Sequence, residues 1–348
     1  MADKSHSKLT EIVNGDRTVI SPNALGVKLE DEKLIAALEQ TVFSTSDLLG
    51  SRVFKKDTNL LPIYYDWTFI VKQGNCWELC KELPDGHHGI KIGMAYDNES
   101  KSVVSLTMHG TDHPADVKAF ENHLMVKERV GIIHIPDMGP YSAATLQTID
   151  SLGQYFIIRK RQDIEPILVY QTFAGRKNYQ LEEIASKPHI VLLSDSVVTV
   201  QTKDVTLSNV REIVFQRHDK EGKFETIVLL SNLHHDALTI IELSASRWAC
   251  TETIFRMLKH EFGLNKLYVK KSEKAWALLL VTIISVQLLE IAFQAIHYLH
   301  GGKLTPKEFR MGFYRFLSNF PNQEAYQYLT PCSSPTCPYR RKHGQRWR

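Results

Sequence analysis

The sequence predicts a mixed α/β fold, on three observations. Strand-like apolar runs at 61–71, 90–96 and 102–108 are followed by helix, strand, helix and strand up to residue 159. From 165 to 231 several more strand patterns succeed one another with no convincing helix between them. Helical periodicity returns only at 236. Interleaved strands and helices build a sheet with helices packed on it, and an unbroken group of strands reads as an insertion in that order.

Each element has a local reason. Leu34, Ile35, Leu38 and Val42 fall on one face of a helix over 29–42, after the turn residues Pro22, Asn23 and Gly26. Residues 61–71 are apolar and aromatic, interrupted by Asp66. The runs 90–96 and 102–108 flank Asp97, Asn98 and Glu99, a turn composition that predicts a hairpin. Residues 116–128 read as a helix through Ala119, Leu124 and Met125, and 131–135 as a short β-branched strand. A helix over 141–152 and a strand over 155–159 follow. The β-rich stretch offers strands at 167–170, 189–193, 197–201, 212–217 and 224–230. Residues 237–243 and 248–262 read as one broken helix or two, and 272–299 as a long helix. Thr305 as N-cap and Pro306 in the first turn open a last helix over 306–318. The expected organisation is a short helical segment at 1–60, a main α/β domain at 61–299 with its insertion at about 162–232, and a C-terminal helix and basic tail at 300–348.

Composition bounds the class. The chain has 348 residues, 43% hydrophobic and 23% charged, which is globular and not disordered. A formal net charge of +3 does not by itself mark a nucleic-acid binder, but Arg340, Arg341, Lys342, Arg346 and Arg348 form an acid-free basic tail. Five cysteines do not make a secreted disulfide framework. Cys76 with Cys80 and Cys332 with Cys337 offer four thiolates, at spacings looser than the usual zinc knuckle, so free thiols are the plainer reading. The N-terminus carries no apolar signal core, and the uncharged run 275–289 is shorter than a bilayer span, so a buried core helix, no membrane and a cytoplasmic location are expected.

Three carboxylates stand out. Asp66 interrupts a run otherwise built for burial, where an ionised group needs a cation or hydrogen-bond donors. Asp137 follows the strand 131–135, at the kind of strand end where open α/β sheets gather ligands. Glu252 lies on a predicted helix with Lys259 two turns further on, so both face roughly one way. Each also has an ordinary reading: a strand-end Asp as a turn or cap residue, a helical Glu as a solvated surface group. His87, His88, His109 and His113 are not spaced as a zinc motif and read as loop residues.

Four segments, in order, resemble the DDE transposases of bacterial insertion sequences, specifically the cut-and-paste group with a Tyr-Arg-Glu-Lys signature. Tyr-Asp-Trp-Thr-Phe-Ile-Val-Lys at 65–72 is similar to the segment carrying the first acid. Gly-Ile-Ile-His-Ile-Pro-Asp-Met-Gly at 131–139 is similar to the strand and turn carrying the second. Gln-Tyr-Phe-Ile-Ile-Arg at 154–159 resembles the next strand with its basic end. Arg247, Trp248, Cys250, Glu252, Phe255, Arg256, Leu258 and Lys259 resemble the signature helix. The family also places a β-rich insertion between its second and third acids. The chain departs from the pattern in three places: the signature Tyr is absent, Arg247 precedes Glu252 by five residues instead of four, and Met138 stands where an Arg is usual. The segment before the first acid is also shorter than the family's helical DNA-binding region.

The resemblance implies an RNase H-like catalytic core, a mixed sheet flanked by helices. Asp66, Asp137 and Glu252 are then the catalytic and metal-binding residues, holding two Mg²⁺ ions for which Mn²⁺ can substitute. Lys259, Arg247 and Arg159 are the expected DNA contacts. The implied partners are double-stranded DNA, as element terminal repeats and target, and a second copy of the chain in a homodimer on DNA. The implied reaction is phosphodiester cleavage followed by strand transfer. Two alternatives are a truncated, inactive DNA-binding relative and an RNase H-like nuclease that cleaves without joining strands.

Overall fold

The computed structural model describes residues 29–52, 60–72, 81–82, 88–109, 117–127, 129–137, 141–161, 164–180, 189–218, 224–261, 264, 271–299, 305, 308–309 and 312. Both cysteine pairs, His87, His113, the basic tail and most of the expected helix over 306–318 lie outside these residues. The chain divides into two compact units, Met1–Gln287 and Leu288–Arg348.

The first unit is built on one mixed sheet of ten strands among the described residues. The strands are β1 (Leu61–Lys72), β2 (Lys81–Glu82), β3 (His88–Asp97), β4 (Ser102–His109), β5 (Ile132–Ile135), β6 (Tyr155–Arg159), β7 (Ile167–Gln180), β8 (His189–Gln201), β9 (Thr206–His218) and β10 (Phe224–Ser231). The order is β2-β3-β1-β5-β6-β10-β9-β8-β7, with β4 paired to β3. β1 runs antiparallel to β3 and parallel to β5, and β5 is parallel to β6. The strands β7 to β10 form the antiparallel insertion, joined to the rest where β10 pairs β6. The expected hairpin across Asp97 to Glu99 is the antiparallel pair β3 and β4.

Four helices are described: α1 (Glu32–Arg52), α2 (Ala143–Ser151), α3 (Ala237–Arg256) and α4 (Ser272–Leu299). Ser142 caps α2 through a reciprocal bond with Thr145, satisfying two backbone donors at that end. Two π-helical turns occur, Phe120–Leu124 and Met257–Glu261. The expected helix over 116–128 is reduced to a short stretch ending in the first of these turns. The region read as one broken helix or two is a single helix, α3, running into the second turn.

Alternation along the central strands assigns the two faces. Ile63 and Tyr65 of β1 and Ile132 of β5 pack with Phe120, Leu146 and Phe156 on one side. Tyr64, Ile133 and Ile135 turn to the other, against Ile240 and Ile241 of α3. Further along that side, Ile70, Ile92 and Met94 meet Ile254 and Phe255 of α3, Leu258 of the π-helical turn after it and the buried Ala275, Leu279 and Ile283 of α4. By length and composition α4 resembles a membrane span, yet half of its apolar window is buried within the protein.

Two polar devices fix elements to this core. Gln287 of α4 is fully buried; it donates to the Val42 carbonyl at 2.9 Å and to the Thr45 hydroxyl, and accepts from the Val103 amide at 2.9 Å. It thereby ties α1, α4 and β4 together. At the exit from β10, Asn232 accepts from the Phe156 amide at 2.8 Å and donates to the Gln154 carbonyl at 3.0 Å and Asp150 at 2.8 Å.

Candidate active site

The register of β1 and β5 explains why Asp66 and Asp137 meet. The parallel pair aligns Ile63 with His134 and Tyr64 with Ile135. Carried two residues further, the same register sets Asp66 level with Asp137. β5 ends at Ile135, while β1 continues to Lys72 beside β3. A gap in the sheet therefore opens beside Asp66, on the face covered by α3.

α3 places Arg247 over that gap. Its Nη1 lies 3.3 Å from Asp66 Oδ2 and its Nη2 donates to Asp137 Oδ1 at 3.1 Å. The guanidinium thus spans both acids. Arg247 and Asp66 are mostly buried, whereas the Asp137 side chain is 54% exposed. Nη1 is buried with no properly aligned hydrogen bond, since its approach to Asp66 is an ion pair only. One helical turn after Arg247, the fully buried Thr251 hydroxyl donates to the Arg247 carbonyl at 2.9 Å and lies within hydrogen-bonding reach of Asp66. Burial pushes the Asp66 carboxyl above its ordinary value; Arg247, Thr251 and the Trp67 amide oppose that shift, and the charge of Asp137 adds to it. The inner face of α3 is therefore apolar at Ile240 and Ile241, polar at Arg247 and Thr251, and apolar again at Ile254 and Phe255.

A second polar chain runs beneath the two acids. His134 is fully buried, with Nδ1 2.8 Å from the Tyr65 hydroxyl and Nε2 2.9 Å from Gln154 Oε1. The Gln154 amide nitrogen donates to the Val126 and Arg129 carbonyls, so its oxygen faces His134. Nε2 therefore carries the proton, and Nδ1 accepts from Tyr65. Burial pulls the imidazole down to about 4, so it is neutral at ordinary pH.

The expected site residues are distributed as follows. Asp66 and Asp137 are brought together. Glu252 lies on α3 directly after Thr251, and its side chain is outside the described residues. Lys259 lies in the π-helical turn Met257–Glu261, so the uniform α-helical register that aligned it with Glu252 in sequence does not hold. Arg247 engages the two acids. Arg159 pairs with Glu225 of β10 at 2.5 Å, and Glu225 also holds Arg217 at 3.0 Å. The neighbouring Lys160 pairs with Glu212 at 3.0 Å. Sequence reasoning missed Thr251 as a site residue and the Tyr65–His134–Gln154 chain. The only signal for the latter was a histidine within an isoleucine-rich strand, three residues before Asp137.

The family model of the transposase DDE domain matches residues 62–288. The chain belongs to the DDE transposase family. The matched span begins in β1, includes both paired acids, the insertion and α3, and ends within α4. A mixed sheet flanked by helices is the architecture that this RNase H-like family shares, as the sequence implied. No curated protein matches the chain. Membership makes it a DNA-acting protein of the transposase and nuclease type, from a family that works with divalent metal ions.

The donor set at the paired acids fits such an ion. Two carboxylates already converge on one cationic group, and hard divalent cations prefer oxygen ligands of this kind. Among the described residues no third His, Cys, Asp or Glu joins them.

Proposed function

We propose that this protein is a DNA transposase that cleaves phosphodiester bonds at the ends of an insertion sequence and transfers the freed strand to target DNA. The observation that carries this reading is the convergence of Asp66, on β1, and Asp137, two residues past the end of the parallel β5, on one cationic group within a matched DDE domain. Glu252, on the helix that covers the pair, is the third acid.

Asp66, Asp137 and Glu252 hold Mg²⁺, with Mn²⁺ as a substitute. The bound metal supplies an activated water and stabilises the leaving 3′ oxygen. Asp66 is the more enclosed of the two paired acids, and the Trp67 amide donating to its Oδ1 at 2.8 Å fixes its direction. Asp137, more than half exposed, is the side from which the scissile phosphate enters. Lys259 and Arg247 contact phosphates near the element end, and Arg159 contributes from β6 once released from Glu225. Two copies act together on two DNA ends, in the cytoplasm.

The test is nicking of duplex DNA carrying the sequences that flank the gene, with Mg²⁺ present. Asp66→Ala, Asp137→Ala and Glu252→Ala should each reduce cleavage to background. Cleavage that survives all three changes would overturn the assignment. Joining of a labelled donor end separates a transposase from a nuclease that only hydrolyses. A second reading is an inactive relative, in which Arg247 permanently occupies the acid pair. Failure of the native chain to nick any flanking sequence would favour it.

A further inference from the structure

The contact between Arg247 and the acid pair has a consequence for metal binding, provided that the pair is the metal site proposed above. A divalent cation held by Asp66 and Asp137 would occupy the space that the guanidinium now fills. Nη1 and Nη2 already stand 3.3 and 3.1 Å from the two carboxylates. Like charges at such separations repel strongly in a partly buried site. The guanidinium is also imperfectly held, because Nη1 is buried without an aligned acceptor. A buried donor in that state gains from moving to a better partner or to water. Meanwhile two carboxylates held against one another beneath α3 need a counter-charge whenever metal is absent.

We propose that Arg247 is the resident counterion of the Asp66–Asp137 pair, and that a divalent cation binds there by displacing its guanidinium. Arg247 is thus a positioning residue: it holds two repelling carboxylates at a common spacing and sets the threshold for metal entry. Its planar fork suits this role, because two nitrogens reach two acids at once. A lysine ammonium is a single point of charge and cannot reproduce both contacts.

The experiment is Mn²⁺ titration of the full chain without DNA, read by electron paramagnetic resonance of the free ion, together with thermal melting. Arg247→Ala should bind Mn²⁺ at least about tenfold more tightly than the native chain. Its metal-free form should melt lower, and added Mn²⁺ should close the gap. Arg247→Lys, the variant safest for folding, should show a smaller gain of a few-fold. Unchanged or weaker Mn²⁺ binding in both variants overturns the inference. Asp66→Asn in the Arg247→Ala background should remove the tight binding. If tight binding instead survives that change, the metal site is elsewhere, and it is the active-site reading that fails.

Discussion

His134 is held in one charge state by its surroundings. Folded, it stays neutral down to about 4; unfolded, it takes up a proton near its ordinary value of 6.5. Below 6.5 the unfolded chain therefore binds more protons than the native one, so stability falls with pH through this window and levels off once both forms are protonated. The depression corresponds to about 3 kcal/mol. Urea unfolding across that range should show the native chain losing about 3 kcal/mol more than His134→Gln. Parallel pH profiles for the two proteins would contradict it. At this scale the sequence was informative where a charge interrupted an apolar run. Asp66 stood out for that reason, and Asp137 by its place after a strand. The Arg247 contacts were hidden, because the arginine is 110 residues from Asp137 and only the packing of α3 on β1 and β5 brings them together. A helical arginine near a glutamate reads as a solvated cation until the sheet beneath it is known.

Elements proved legible where a single periodicity ran unbroken. The helix expected over 272–299 is α4 (Ser272–Leu299), and the strand expected over 155–159 is β6 (Tyr155–Arg159). β8 was read as two strands, because Ser194, Asp195 and Ser196 break its apolar run. It is one strand because Arg211 of β9 neutralises Asp195 through two contacts, of 3.2 and 2.5 Å. A buried charge is tolerated in a strand when its partner lies on the neighbouring one, which local pattern does not reveal. β7 likewise extends ten residues past its apolar start, because pairing with β8 carries the polar half along. The element most dependent on one polar group is α4. Gln287→Met would keep the volume but leave the Val103 amide without its Gln287 acceptor, while the Val42 carbonyl keeps the Thr45 hydroxyl. It should cost about 2 kcal/mol or more, read as a lower urea midpoint with an unchanged slope. An unchanged midpoint would mean that the links from α4 to α1 and β4 hold without it.

Taken whole, the sheet grades from a doubly covered centre to a bare edge. β5 and β6 are flanked by strands on both sides, and their central residues are buried. β7 ends the order, with Ile167, Leu168, Val169 and Tyr170 all more than half exposed. Hydrogen exchange should follow that gradient. The amides of β5 and β6 should open only with global unfolding, and the outward amides of β7 should exchange with little protection. Equal protection in β6 and β7 would show that something covers the edge in solution. The fold class was readable at this scale from the order of the elements. The junction between the two halves of the sheet was not, because it rests on β6 and β10, which meet from more than sixty residues apart.

That junction also decides what the insertion can do to the rest of the protein. Asn232 bolts the chain to Phe156, Gln154 and Asp150 just after β10 and just before α3 begins. Arg211 of β9 holds the His235 carbonyl at the same place, and Ile213 and Phe215 share a core with Ile240 and Ile241, so the insertion is also fastened directly to the helix carrying Arg247. Substitutions in that shared core should therefore disturb the roof over the acid pair as well as the insertion.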